Sequence, residues 1–260
     1  MKYIPNTITL ANLFCGCLSI VATFSGEFVL AGGLIFLAAI FDFLDGLAAR
    51  VLNAYSELGK QLDSLADLVS FGVAPAMLAF GIMFVVQTDL PSAFLPYILF
   101  ATQLELQFAY LPYIAFIMVL FSALRLAKYN VDTSQSEHFT GMPTPANAMF
   151  WASLPLVLHN LYEQELTNLQ ALIFNPVVLA VLCVIFALLL VLPIPMLSFK
   201  FKNIDFKPNW QRHVLIWLVI GLFFFFEKST IPITGVIAIP IAILIYPLFS
   251  FTIRKKTNKL

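Results

Sequence analysis

The chain has 260 residues, 61% of them apolar and only 11% charged, and its formal net charge is zero. A soluble domain carries about 25% charged residues, so this composition excludes a water-soluble core and identifies an integral membrane protein. The balanced charge offers no global field for nucleic acid or an acidic partner.

Apolar run length predicts an all-α bundle of about eight transmembrane helices. The expected spans are 8–24, 28–50, 60–84, 110–129, 144–161, 174–197, 213–227 and 231–251. The whole of 1–260 reads as one membrane-embedded domain without a long repeat or a low-complexity tract. No small-residue cleavage pattern follows the first apolar run, which therefore reads as a retained span and not a signal peptide. Span one carries the polar set Asn6, Thr7, Thr9 and Asn12, with Pro5 opening the helix. Cys15, Cys17 and Cys183 lie in apolar runs and read as small buried hydrophobes. Segment 86–109 is apolar only in part and holds Gln103, Glu105 and Gln107; it reads as an outer insertion, interfacial or re-entrant.

Charge bias sets the orientation. With Met1 in the cytoplasm, only Lys228 of the 14 basic residues falls outside, while Glu27, Asp89, Glu105, Glu163, Glu165 and Glu227 collect there. That is a strong positive-inside signature for an even number of spans with both termini cytoplasmic. The loop 198–212 and the tail 252–260 are basic, which suits topology and attraction to anionic headgroups.

Against this background one stretch stands out. Asp42, Asp45, Asp63 and Asp67 sit at the inner ends of spans two and three. A charged side chain in hydrocarbon costs at least about 2.5–3.5 kcal/mol. Asp42, Asp45 and Ala49 are spaced i, i+3, i+7 on one helix face, and Asp63 and Asp67 are i, i+4 on the next. The inner turn 51–59 is short enough to bring the two faces together as an antiparallel pair. Like charges that close repel unless a cation lies among them. All-oxygen ligation without His or Cys suits Mg²⁺, Mn²⁺ or Ca²⁺, and Mg²⁺ commonly bridges to substrate phosphates. Gly46, Ala49 and Gly59 let a bulky group approach the backbone, or let helices pack closely. Arg50 is an interface anchor or a phosphate contact. Asp67, nearest the midplane, is the candidate general base for a hydroxyl nucleophile.

The pattern Asp42-x2-Asp45-Gly46-x2-Ala49-Arg50-x8-Gly59-x3-Asp63-x3-Asp67 resembles the complete signature of the CDP-alcohol phosphatidyltransferase family, with every fixed position and gap matched. The resemblance implies transfer of a phosphatidyl group from a CDP-activated lipid to an alcohol, with release of CMP. It implies that Asp42, Asp45 and Asp63 hold a centre of two divalent ions, Mg²⁺ or Mn²⁺. Asp67 adjoins that centre as general base. Gly46, Ala49, Arg50 and Gly59 would line the site for the cytidine diphosphate. Asn6 and Thr9 either cap the first turn or bond the cytosine or ribose, and the nucleotide role is favoured.

Other segments resemble the bacterial and archaeal phosphatidylserine synthases within that family: 4–16, the loop Ala123–Asn130, and Phe139–Ala146. This implies CDP-diacylglycerol and L-serine as substrates and a prokaryotic cytoplasmic membrane as location, with the active site at the cytoplasmic end. Lys128 stands where an arginine is expected, which keeps the charge but loses the bidentate fork. Arg125 and Lys128 lie i, i+3 at the inner end of span four. They can hold the serine carboxylate, grip the lipid phosphate, or anchor the helix at the interface. Asn130, Thr140 and Ser122 offer neutral hydrogen bonds or serve as turn and cap residues. His138 reads as a solvated loop residue, and His159 and His213 carry no assigned role. A homodimer formed through membrane helices is a further family-based expectation. Two competing readings are a phosphatidylglycerophosphate or inositol-phosphate lipid synthase, and a divalent-cation transporter. The second leaves Gly46, Ala49 and Arg50 without a purpose.

Overall fold

The computed structural model describes residues 3–88, 110–131, 139–196, 217, 220–222, 224–225 and 237–257. These residues are helical apart from turns and one short pairing of dipeptides. Helix α1 (Tyr3–Phe24) turns through Gly26 into α2 (Phe28–Val51). A turn at 52–56 leads to α3 (Glu57–Asp67), which continues through a π-helical turn (Leu68–Val73) into α4 (Ala74–Thr88). A 3₁₀ segment (Leu111–Phe116) opens α5 (Ile117–Val131). Then come β1 (Phe139–Thr140), α6 (Thr144–Glu163), α7 (Thr167–Ile173), α8 (Pro176–Val191), β2 (Pro195–Met196) and α9 (Ala238–Thr257).

Among the described residues, four helical stretches are long and apolar enough to cross a membrane: 3–24, 28–51, 57–87 and 111–131. A fifth appears if α7 and α8, bent by 42° at their junction, count as one span. The multi-pass membrane class expected from composition therefore stands, and the described residues carry four or five of the eight expected spans. Helix α6 fills its expected range, yet it is not among these spans. It lies inside the bundle, packed on α2, α4, the π turn and α9, and a helix shielded by protein needs less apolar surface than one facing lipid. The expected span 174–197 ends early: α8 stops at Val191, because Pro193 and Pro195 cannot continue a helix. Of spans seven and eight, only Trp217, Ile220–Leu222, Phe224 and Phe225 and the residues from 237 onward are described. Residues 89–109 of the expected insertion, the loop 198–212, His138 and His213 lie outside the described residues, as do 258–260 of the tail. The described part of that tail continues α9 as helix to Thr257.

Helix α1 starts earlier than residue 8 because Pro5 sits in its first turn, where a missing N–H leaves nothing unpaired. It packs against both α2 and α3, and Ser19 Oγ donates to the Ala31 carbonyl at 2.8 Å. The π turn was not anticipated. Pro75 supplies its reason: it has no N–H to donate, and its ring crowds the carbonyl four residues earlier. A widened turn relieves that crowding, and such turns recur at functional sites. The core is aromatic. Phe150 stacks on Phe186 at 4.4 Å between ring centres, and Phe80 on Phe116 at 5.5 Å.

The β1–β2 pairing closes the loop before α6. Gly141 adopts φ +79°, a conformation that costs other residues steric strain. Its N–H donates to the Ile194 carbonyl at 2.8 Å, and the Met142 N–H to Leu189 at 2.8 Å. A Cβ on Gly141 would also run into the Leu190 carbonyl. These bonds, with Pro143 and Pro145 following, make a stiff lead into α6.

Candidate active site

The end of the bundle where α2 gives way to α3 holds the acidic residues. One carboxylate oxygen each from Asp42, Asp63 and Asp67 lies within 4.8 Å of the other two, and all three side chains are half-buried. Asp42 comes from the last turns of α2. Asp63 and Asp67, one turn apart, come from one face of α3. Ser56 starts α3 by accepting the Gly59 N–H at 3.0 Å, an N-cap that fixes where the acidic face begins. Three oxygens at this spacing, with no nitrogen or sulfur among them, suit a hard divalent cation.

Asp45 lies outside this closest trio, yet near enough for its charge to bear on Asp42, Asp63 and Asp67. It is 6% exposed and accepts a hydrogen bond from Thr9 Oγ1 at 2.6 Å. Four carboxylates therefore gather at this end of the bundle, three of them with oxygens mutually within 4.8 Å. Residues i and i+3 on a helix differ by about 60° in direction, so Asp42 turns toward α3 while Asp45 turns toward α1. The hydroxyl of Thr9 was assigned to a nucleotide, yet it bonds this carboxylate.

A cleft of about 230 Å³ adjoins the acids, and Asn6, Thr9, Gly46, Ala49 and Gly59 line it together with Asp45 and Asp63. Ligand pockets for whole small molecules run to about 300–1,000 Å³; this one is sized for part of a head group. Gly46 faces open space, since a Cβ placed there would meet nothing within 4 Å. A Cβ on Gly59 would stand 3.0 Å from Asn6 Oδ1 and 3.0 Å from Ser56 Oγ, so this glycine lets α1 and α3 approach. Arg50 is exposed at the end of α2 and is not part of the lining. Tyr55, Ser56 and Lys60 also line the cleft, and sequence reasoning gave them no site role. Their signal was position: all three lie in or beside the turn that joins the two halves of the acidic motif.

Arg125 is 9% exposed and lies close enough to Asp67, Tyr129 and Tyr246 for charges there to bear on it. That burial sets it apart from Lys128, which is exposed one turn later. Asn130 ties α5 to α3: its Nδ2 donates to Ser64 Oγ at 2.8 Å, and its carbonyl accepts from Lys60 Nζ at 3.4 Å. Asn130 thus links α5 to α3 at the residue next to Asp63. Asn12 and Ser122 are both fully buried. The first was named in the sequence only as part of the polar set of span one, the second only as a neutral hydrogen-bonding or capping residue.

Comparison with known proteins completes the picture. The sequence model of the CDP-alcohol phosphatidyltransferase family matches residues 2–192. The CDP-diacylglycerol–serine O-phosphatidyltransferase of Bacillus subtilis is 38% identical to this chain, over 57% of the chain and 73% of that relative. The enzyme of the same name from Helicobacter pylori is 31% identical, over 86% of the chain and 81% of its own length. The archaetidylserine synthase of Methanothermobacter thermautotrophicus is 32% identical, over 59% of the chain and 58% of its own length.

Proposed function

The chain belongs to the CDP-alcohol phosphatidyltransferase family, and we propose that it transfers the phosphatidyl group of CDP-diacylglycerol to L-serine, giving phosphatidylserine and CMP. The observation that carries this is the trio Asp42, Asp63 and Asp67 beside a head-group cleft, at one end of an apolar bundle. The relatives named above as serine O-phosphatidyltransferases support serine as the acceptor.

The residues divide the work. Gly46, Ala49 and Gly59 seat the cytidine diphosphate in the cleft, with Asn6 at its α1 edge. Thr9 keeps Asp45 oriented through its 2.6 Å hydrogen bond. Arg50 meets the diphosphate from the rim. The acids would hold two divalent ions, Mg²⁺ or Mn²⁺, whose charge offsets that of the diphosphate and of the departing CMP. Asp67, deepest along α3, accepts the proton of the serine hydroxyl. The serine oxygen then forms a bond to the phosphorus nearest the lipid, while the bond from that phosphorus to the bridging oxygen breaks and CMP leaves with that oxygen. Attack is direct, because the motif contains no nucleophile other than its carboxylates. Arg125, buried near Asp67, holds the serine carboxylate through paired hydrogen bonds. Lys128 serves at the rim.

The proposed setting is a prokaryotic cytoplasmic membrane. Both termini and the acidic end would face the cytoplasm, the lipid chains would lie between helices, and two copies would pair through membrane helices. The charge distribution supports this orientation. The whole chain would form one domain of eight spans, with 86–109 as an outer insertion.

The test uses membranes containing the protein, CDP-diacylglycerol and a divalent cation, with L-serine, glycerol 3-phosphate or inositol phosphate added in turn. Serine-dependent release of CMP with formation of phosphatidylserine is expected. Product from either phosphorylated alcohol in place of serine would overturn the choice of acceptor. Exchange of label between CMP and CDP-lipid in the absence of serine would overturn direct attack.

A further inference from the structure

Asn12 is fully buried in α1, its carboxamide nitrogen faces the Asp67 carboxylate as a hydrogen-bonding neighbour, and its carboxamide oxygen has no hydrogen-bond partner. It lies against the Asp67 carboxylate, whose Oδ1 is also buried and without a partner. Across the π turn, Ser122 is fully buried with its hydroxyl oxygen in the same condition. It stands one turn before Arg125 on the same face of α5. A buried polar atom left unpaired costs about 1–3 kcal/mol, and folded proteins keep few of them. The Asn12 oxygen beside the Asp67 carboxylate, and the Ser122 hydroxyl on the other flank of the π turn, call for a ligand that completes them.

The frame holding these groups is tight. Ser70 Oγ, in the π turn, donates to the Asn12 carbonyl at 3.0 Å. A Cβ on Gly16 would stand 2.5 Å from Ser70 Oγ, so α1 touches the π turn with no room for a side chain between them. On the opposite flank, a Cβ on Gly72 would meet Ser122 Cβ at 3.2 Å. The π turn is gripped by α1 and α5, which holds the backbone at Asn12 and Ser122 against it.

The missing ligand can be read from what these groups lack. The Asn12 oxygen and Asp67 Oδ1 need donors. The Asn12 nitrogen already faces the Asp67 carboxylate, and Arg125 brings a cation to the same group. A phosphorylated alcohol would set its own anionic charge against Asp67 and the Asn12 oxygen. A zwitterionic amino alcohol supplies an ammonium, a hydroxyl and a carboxylate within one small molecule. The geometry points to Asn12 as the residue that selects the acceptor: its carboxamide oxygen takes the ammonium of an amino alcohol whose hydroxyl lies at Asp67, with Ser122 and Arg125 toward the carboxylate. This assignment rests on the serine reading above and adds the group that distinguishes an amino acid from other hydroxy acids.

The experiment crosses a side-chain truncation with a substrate truncation. Asn12→Ala and Asn12→Ser are assayed with L-serine, with 3-hydroxypropionate, which lacks the ammonium, and with serinol, which lacks the carboxylate. An ammonium contact predicts that kcat/KM for L-serine falls about 10- to 100-fold. The loss with 3-hydroxypropionate should be several-fold smaller, since only the contact to Asp67 is then disturbed, and the loss with serinol should match that with serine. The KM for CDP-diacylglycerol should hold. A readout independent of turnover accompanies it: L-serine raises the melting temperature of the detergent-solubilised wild type and not that of the variants, while CDP-diacylglycerol raises all of them and shows that they fold. Equal losses on L-serine and 3-hydroxypropionate, or an undiminished serine-induced shift, would overturn the role of Asn12. A wild type that ignores L-serine would instead overturn the serine reading itself.

Discussion

Replacing Gly46 with alanine should separate stability from activity. Gly46 lies in the last turns of α2 and lines the cleft, and a Cβ there meets nothing within 4 Å. The added methyl group therefore strains no neighbour. It also lowers the entropy cost of a helical glycine, a gain of about 0.5–1 kcal/mol. At this chain size that corresponds to a melting temperature higher by about 1–4 °C. The same methyl group projects into a cleft of about 230 Å³ where the nucleotide head is proposed to sit. Forcing a methyl group into a filled site costs about 1–3 kcal/mol, or about 5- to 150-fold in the KM for CDP-diacylglycerol. Gly46→Val should deepen that loss. Thermal denaturation in detergent and initial rates across CDP-diacylglycerol concentrations give the two numbers. An unchanged KM in Gly46→Ala would refute the placement of the nucleotide at this glycine. A lowered melting temperature would refute the claim that the position faces open space.

Three further outcomes follow from the same geometry. Asp67→Asn keeps the shape of the side chain but cannot accept the hydroxyl proton, so kcat should fall about 10²- to 10⁴-fold while CDP-diacylglycerol binding, followed by thermal shift, persists. Thr9→Val removes the 2.6 Å bond to Asp45. A hydrogen bond to a charged group is worth about 1.5–3 kcal/mol, so this variant should melt lower and bind CDP-diacylglycerol more weakly, and a wild-type melting curve would contradict the role given to that hydroxyl. Chelation with EDTA should abolish turnover, with Mg²⁺ or Mn²⁺ restoring it. Activity that survives exhaustive chelation would dismiss a divalent cation at Asp42, Asp63 and Asp67.

The limits of reading this chain from its sequence follow from what each signal measures. Helical spacing reports which residues share a face, and the faces of α2 and α3 were legible because Asp42, Asp63 and Asp67 recur at turn intervals. Spacing is blind to a third helix. Asp45 shares its face with Asp42 to within about 60°, and only the packing of α1 against both α2 and α3 decides that it bonds Thr9. Hydropathy has the corresponding blindness: it recognised α1 and α2, but it says little of a central helix such as α6, most of whose residues are buried against other helices. The π turn shows a third limit. It depends on Pro75 acting several residues back along the chain, and its effect is to set Ser70 against Asn12 and Gly72 against Ser122. In sequence, Asn12 is one polar residue among four in span one. Its distinction is that its carboxamide is buried against the Asp67 carboxylate with its oxygen left unbonded, a property of the packed helices together. Residues that position a reacting carboxylate are recognised by spacing, whereas residues that choose its partner emerge from bonds the fold leaves unmade.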